Sequence, residues 1–233
     1  MKTIKTKIAV PITDERESDI LNKASLINSS KAHIIEWRAD YYENVQDLNK
    51  LLDTLKKLRH IITNKELAFT FRSKNQGGKL EISHDYYMEL NRQVSNSKNA
   101  DLIDIEMFYL DKVNGISLPI IASYHNFKET PSKNKILSIF KNMERSKADI
   151  LKIAVMPNSP KDVLNLLDAS YEMYTNTDKA IIAISMGDLG KISRISAGLF
   201  GSYLTFASLG EKSAPGQLSL EELTKAIKAL KTQ

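Results

Sequence analysis

The sequence predicts an α/β fold in which eight strands alternate with helices, and three observations carry that reading. Short apolar runs rich in Ile, Val and Ala recur along the chain, amphipathic segments separate them, and most spacers are long enough for a crossover helix. Such an alternation admits an open doubly wound sheet or a closed (β/α)8 barrel. An open sheet often carries a glycine-rich phosphate loop, and none of the nine glycines forms one. Gly187-Asp-Leu-Gly190-Lys191 has its glycines too close together, with Ile192 where a magnesium site needs Ser or Thr.

Taken in order, the strand candidates are IAVPI (8–12), HIIEWR (33–38), LAFTFR (67–72), LIDIE (102–106), PIIASYH (119–125), ILKIAV (150–155), IIAIS (181–185) and YLTFAS (203–208). Between them, Val45, Leu48, Leu51, Leu52, Leu55 and Leu58 fall at helical spacing, and Val163, Leu166, Leu167, Tyr171 and Tyr174 repeat the pattern. Thr130-Pro131 and Ser159-Pro160 each offer a capping hydroxyl with proline at the first helical position. Ser219 with Glu222 has capping-box spacing. The spacer 107–118 is short for a full helix. With no linker, low-complexity tract or repeat, residues 1–233 read as one domain.

With 42% hydrophobic and 26% charged residues, the 233-residue chain lies near the globular average and is long enough for a sizeable core. No apolar run reaches the roughly 18 residues of a membrane span. The absence of cysteine excludes disulfides, Cys-ligated zinc, iron–sulfur clusters and thiol nucleophiles. Pro11 cuts the apolar stretch after the basic start short of a signal-peptide core. The chain therefore reads as soluble and intracellular, compatible with a reducing cytoplasm. Its net charge of +5 is thinly spread. Lys56-Lys57 sits on a helix face, and Lys2, Lys5 and Lys7 are separated by uncharged residues. Neither group forms the basic stripe with interleaved aromatics of a nucleic-acid binder.

Strand side chains alternate faces, so residues two apart share one. Glu36 and Arg38 lie together in the second strand, as do Asp104 and Glu106 in the fourth. Arg72 ends the third, His125 ends the fifth, and Lys152 interrupts the sixth on the face of Ile150 and Ala154. Ionised groups inside apolar strands are costly unless paired. Most of these stand near strand C-termini, which in a barrel surround the mouth where active sites are built. One shared polar pocket accounts for them.

Lys152 has two readings. An amine crowded by apolar or cationic neighbours gives up its proton more easily and can attack a carbonyl to form a Schiff base. Alternatively it pairs with Glu36 or Asp104 across the barrel, or packs its stem and reaches water. His125 alone of four histidines ends a strand, where it can carry protons or serve as a hydrogen-bonded structural residue. His60 falls at a helix end, His84 near a helix start after Ser83, and His33 faces opposite Glu36, which separates those two as metal ligands. Arg194 follows the seventh strand, where barrels often bind anions, and could hold a carboxylate bidentately. By periodicity alone it is a surface arginine on a helix turning Ile192, Ile195 and Leu199 inward.

Together, EWRAD (36–40), FRSKNQGG (71–78), IDIE (103–106), SYHNF (123–127), LKIAVMP (151–157), ISMGDLGKISR (184–194) and SAPGQL (213–218) occur in an order and spacing that resembles the type I 3-dehydroquinate dehydratase family. The resemblance runs from near residue 8 to near residue 222. It implies a (β/α)8 TIM barrel, often a homodimer, that needs no metal or organic cofactor and has no nucleic-acid or membrane partner. It implies a cytoplasmic lyase of the shikimate pathway to chorismate and aromatic amino acids, acting on a small molecule: reversible dehydration of 3-dehydroquinate to 3-dehydroshikimate. Position by position, Lys152 matches the imine-forming lysine and His125 the general acid/base. Glu36, Arg38 and Arg72 match residues holding the substrate hydroxyls and polar ring. Arg194, Ser213 and Gln217 match the group that grips the carboxylate and closes a loop, and Met186 a pocket-lining methionine. At Gln76 the family often carries a glutamate that orients and tunes the histidine. Gln76 can hydrogen-bond but has no charge, which leaves Asp104 or Glu106 as candidates to supply it. Two other readings stay open: another Schiff-base lyase, such as an aldolase acting on a different hydroxyketone, and a catalytically silent barrel binding an anionic metabolite or a protein.

Overall fold

The computed structural model describes residues 5–230, so Lys2 lies outside the described residues. All eight expected runs form strands: β1 (Lys7–Ile12), β2 (Ile34–Arg38), β3 (Glu66–Thr70), β4 (Leu102–Glu106), β5 (Ile120–Asn126), β6 (Ile150–Val155), β7 (Ala180–Ser185) and β8 (Leu204–Ser208). From β1 to β7 each pairs in parallel with the next, and β8 returns to β1 from Lys7–Leu204 to Ala9–Phe206. β7 and β8 meet at one parallel bridge, Ile181–Ser202, where Tyr203 N–H donates to the Ile181 carbonyl at 2.7 Å. The curled sheet thereby joins its two ends as a (β/α)8-type barrel, with its thinnest seam there. A two-residue strand, β9 (Leu218–Ser219), extends the sheet beside β8. The third strand stops at Thr70, which leaves Arg72 in the following loop instead of at the strand end.

The helices are α1 (Glu17–Asn28), α2 (Leu48–Ile61), α3 (His84–Ser97), α4 (Lys133–Glu144), α5 (Pro160–Asn176), α6 (Lys191–Ile195) and α7 (Leu220–Leu230). The α2 helix buries Leu51, Leu55 and Leu58, and Asp47 caps it by accepting from Lys50 N at 3.1 Å. Val45 therefore packs from the preceding turn. α5 begins at Pro160, with the Asp162 carboxylate accepting from Ser159 N at 2.9 Å. Ser219 and Glu222 bond reciprocally at the start of α7. The expected cap at Thr130-Pro131 is displaced: Ser132 caps α4, while the Thr130 hydroxyl donates to the Met156 carbonyl and ties that loop to the end of β6. The short spacer 107–118 holds a single 3-10 helix, Met107–Lys112, instead of an α-helix. No helix among the described residues is long and apolar enough to cross a membrane.

Alternation along each strand builds two apolar layers. Ile35, Trp37, Phe69, Ile103, Ile105, Leu151 and Ile153 face outward into the layer beneath the helices. Ala9, Ile34, Ala68, Leu102, Ile121, Ile150, Ile182 and Leu204 fill the barrel interior. Toward the strand C-termini the inward face turns polar, because Glu36, Arg38, Thr70, Asp104, Glu106, Ser123, His125 and Lys152 continue the inward alternation. The apolar plug supports the site from below.

Candidate active site

The inward residues converge on one pocket at the barrel mouth. Lys152, His125, Glu36, Arg38, Arg72, Gln76, Met186, Arg194, Ser213 and Gln217, all singled out from sequence, line it. Asp104 and Glu106 lie just beneath, fully or almost fully buried. The β5–β6 register sets Ser123 opposite Lys152 and His125 opposite Ala154, so lysine and histidine rise from adjacent strands one inward step apart.

Lys152 Nζ lies 3.1 Å from Asp104 Oδ2, 3.6 Å from Glu36 Oε1 and 4.8 Å from the Phe206 ring centroid. The amine is thus both paired across the barrel and presented to the pocket. Glu36 Oε1 also accepts from the Thr70 hydroxyl at 3.0 Å. Asp104 is shared with Arg72, which lies 2.8 Å from its other oxygen, and accepts from Ser123 Oγ at 2.6 Å. Burial pushes the Asp104 carboxyl up, but Arg72, Lys152 and the Ser123 bond together hold it below the usual carboxylate range. Arg72 reaches on to Glu106 at 3.4 Å, and Glu106 accepts from the Ser73 N–H and hydroxyl, both at 2.8 Å. Every buried carboxylate in this arc has donors, which is what makes its burial tolerable.

His125 sits under a different field. Burial, then the positive charges of Arg72, Lys152 and Arg38, push its imidazole well below the ordinary histidine range. The ring is therefore neutral at neutral pH and able to accept a proton. Its Nδ1 is buried without a hydrogen-bond partner among the described residues, and the ring stacks on Phe127 with centroids 6.4 Å apart. Gln76 Oε1 accepts from the His125 backbone N–H at 2.8 Å, so the amide holds the strand end. Asp104 and Glu106 are taken up by Arg72, Lys152 and Ser73, and neither supplies a charge to the imidazole by any contact among the described residues.

Arg194 reverses its periodicity reading. The α6 helix is too short for an amphipathic face to govern it; Arg194 is buried, while Ile192 and Leu199 are about half exposed. One terminal nitrogen donates to the Pro215 carbonyl at 3.1 Å, and Nε has no partner among the described residues. Burial alone, with no carboxylate to offset it, brings the guanidinium down to about 10. The 213–217 loop lies over this side. Gln217 is buried and accepts from Ser213 N–H at 2.8 Å, and Gly187 N–H donates to the Pro215 carbonyl at 3.2 Å. Gly216 has φ +71°, and a Cβ there would overlap the Gly187 carbonyl, so only glycine fits this crossing of loops.

The sequence reading missed Thr70, Ser123, Phe127, Phe206 and Asp40. Inward alternation from Ala68, Ile121 and Leu204 would have found Thr70, Ser123 and Phe206; Phe127 and Asp40 depend on loop paths no periodicity encodes. No group of three or more His, Asp or Glu side chains able to hold a metal ion is found among the described residues. The arrangement offers one amine, one neutral proton acceptor, one carboxylate at the pocket wall (Glu36) and one cation, Arg194, that has no carboxylate partner among the described residues.

A family model described as type I 3-dehydroquinase matches residues 8–233. A Clostridium kluyveri protein named 3-dehydroquinate dehydratase is 42% identical over 234 residues, covering 96% of this chain and 92% of its own. The crystal structure of type I 3-dehydroquinate dehydratase from Clostridium difficile with covalent modified comenic acid superposes with a TM-score of 0.94 at 41% identity, covering 97% of this chain and 93% of that one. The 3-dehydroquinate dehydratase of Geobacillus kaustophilus follows with a TM-score of 0.93 at 33% identity, over 97% and 91% of the two chains.

Proposed function

The chain belongs to the type I 3-dehydroquinase family and is a hydro-lyase, and we propose that it converts 3-dehydroquinate to 3-dehydroshikimate through an imine on Lys152, with His125 moving the protons. The observation that carries this reading is the Lys152 amine in the pocket, 3.1 Å from Asp104, one strand away from a neutral buried imidazole.

The Lys152 nitrogen attacks the ketone carbon, and loss of water from the carbinolamine leaves a protonated imine. The ammonium gives up one proton before the attack and the carbinolamine takes one up as it loses water. The imine thus carries the charge the ammonium did, and Asp104 and Glu36 pair with both; in the enamine the nitrogen is neutral. The imine draws electrons from the adjacent carbon, whose proton His125 Nε2 or Nδ1 accepts. The enamine electrons then expel the β-hydroxyl, which takes a proton from the imidazolium and leaves as water. A second water hydrolyses the imine and restores the amine. Arg194 holds the carboxylate, Glu36 and Arg38 the hydroxyls, and the 213–217 loop covers the pocket; these groups orient the ring.

Borohydride added during turnover of 3-dehydroquinate reduces the imine and leaves the product skeleton on one lysine. The mass increment is expected on the peptide holding Lys152, and Lys152→Ala is expected to take no label and to lose roughly 10⁴-fold or more in kcat. Turnover without any trapped adduct, or an adduct on another lysine, would exclude this route.

A further inference from the structure

Asp40 is fully buried and has no part in the route above. The 3-10 turn after β2 (Ala39–Tyr41) folds it back onto Arg38, which forks onto it with Nε and one terminal nitrogen, each at 2.8 Å. The same carboxylate accepts from the backbone N–H of Arg72 at 3.3 Å and of Lys79 at 3.1 Å. Two bonds fix a side chain and two fix the loop that carries Gln76. Arg38 also lies 5.1 Å from the Tyr41 ring centroid, with Lys79 5.2 Å from the same ring.

The consequence is best seen at Glu36. It points to the same face as Arg38, two residues before it, and its charge reaches the guanidinium. An arginine and a carboxylate so placed would ordinarily pair and neutralise each other. They do not: Arg38 is taken by Asp40, and Glu36 is left with Thr70 and Lys152. We infer that Asp40 is a positioning residue that holds Arg38 apart from Glu36, so that guanidinium and carboxylate meet the substrate hydroxyls as separate groups. The inference rests on 3-dehydroquinate being the ligand, and a double-mutant cycle separates the two claims.

The wild-type rate on 3-dehydroquinate is measured first; its absence would overturn the function itself. Given that activity, Asp40→Asn is expected to raise KM by about tenfold to a hundredfold with kcat within about threefold. Asp40→Asn added to Arg38→Ala is expected to raise KM no further than Arg38→Ala alone, because both act through one guanidinium. Additive effects, or a loss in kcat with KM unchanged, would overturn the inference in favour of a role confined to the loop. Trp37, the only tryptophan, packed 5.7 Å from Phe69, reports whether Asp40→Asn folds. Should it unfold, the wild type decides by ¹⁵N NMR without ligand: a dispersed, slowly exchanging Arg38 Nε–H supports the clamp, and a fast-exchanging, averaged one overturns it.

Discussion

Around the barrel mouth, the arc from β2 to β6 and the arc of β7, α6 and the 213–217 loop treat buried charge in opposite ways. In the first, Arg38 meets Asp40, Arg72 meets Asp104 and Glu106, and Lys152 meets Asp104 and Glu36. In the second, Arg194 is as deeply buried as Arg72 but among the described residues donates only to the Pro215 carbonyl. Pairing uses up a charge and locks its geometry. An unpaired buried cation destabilises the empty protein and keeps its full attraction for an incoming anion, already desolvated and oriented. Under the proposed function, the matched arc holds the reactive groups still and the unmatched arc receives the substrate carboxylate.

The contrast is tested most severely by removing one arginine from each side. Arg194→Met is expected to raise KM by about 30-fold to 1,000-fold, the loss of a buried charge partner worth roughly 2–4 kcal/mol. The same substitution should leave resistance to urea unchanged or increased by about 1 kcal/mol, since no carboxylate is orphaned. Arg72→Met should instead lower it by about 3–5 kcal/mol, because Asp104 and Glu106 lose their common partner. Unfolding curves that move the same way for both variants would erase the distinction.

A smaller effect should come from the cover over the unmatched arc. Gly216→Ala cannot keep both φ +71° and its closeness to Gly187, so the loop is displaced from Arg194 at a cost of about 1–3 kcal/mol. Steady-state kinetics should show KM up by roughly tenfold or more, with borohydride trapping on Lys152 intact. Unchanged kinetics would mean that the loop crossing plays no part in binding.

The smallest expected effect extends the matched arc to the one group it leaves without a carboxylate. In the proposed route His125 must be neutral to accept the substrate proton, so its contribution to kcat/KM is expected to be lost as pH drops through its depressed value, below the ordinary 6.5. Gln76→Glu places a carboxylate within reach of the His125 N–H and favours the imidazolium. The acid limb of kcat/KM should therefore move to higher pH, by about one unit. A limb that stays in place, or moves to lower pH, would show that residue 76 acts on the histidine through its backbone alone.

Much of this site is readable along the chain because strands impose a period of two. Glu36 with Arg38, Asp104 with Glu106, and Lys152 with Ala154 share faces for that reason alone, and the structure keeps each pairing. The same periodic reading failed at Arg194, where a five-residue helix bends too soon for an amphipathic stripe to form. It was silent on Asp40, which reaches Arg38 through a turn and Lys79 through space. The cap at Ser132 and the 3-10 helix at Met107–Lys112 also turn on local loop paths.

What the order of residues settles is which side chains of the strands face inward, the eight strands from β1 to β8 though not the two-residue β9, and the absence of any thiol from the 233 residues. These follow from covalent alternation and composition, which no packing can alter. Which charges neutralise one another is a matter of distances between strands far apart in the chain. Pairing of β2 with β3 brings the 36–40 segment against 72–79, pairing of β3 with β4 brings Asp104 against Arg72, and the curl of the sheet across β5 brings Asp104 against Lys152. Electrostatic pairing decays over a few ångströms once donors must align. Hence a composition with a surplus of five positive charges still leaves one arginine, Arg194, buried at the mouth without a counterion among the described residues, and only the folded barrel says which one.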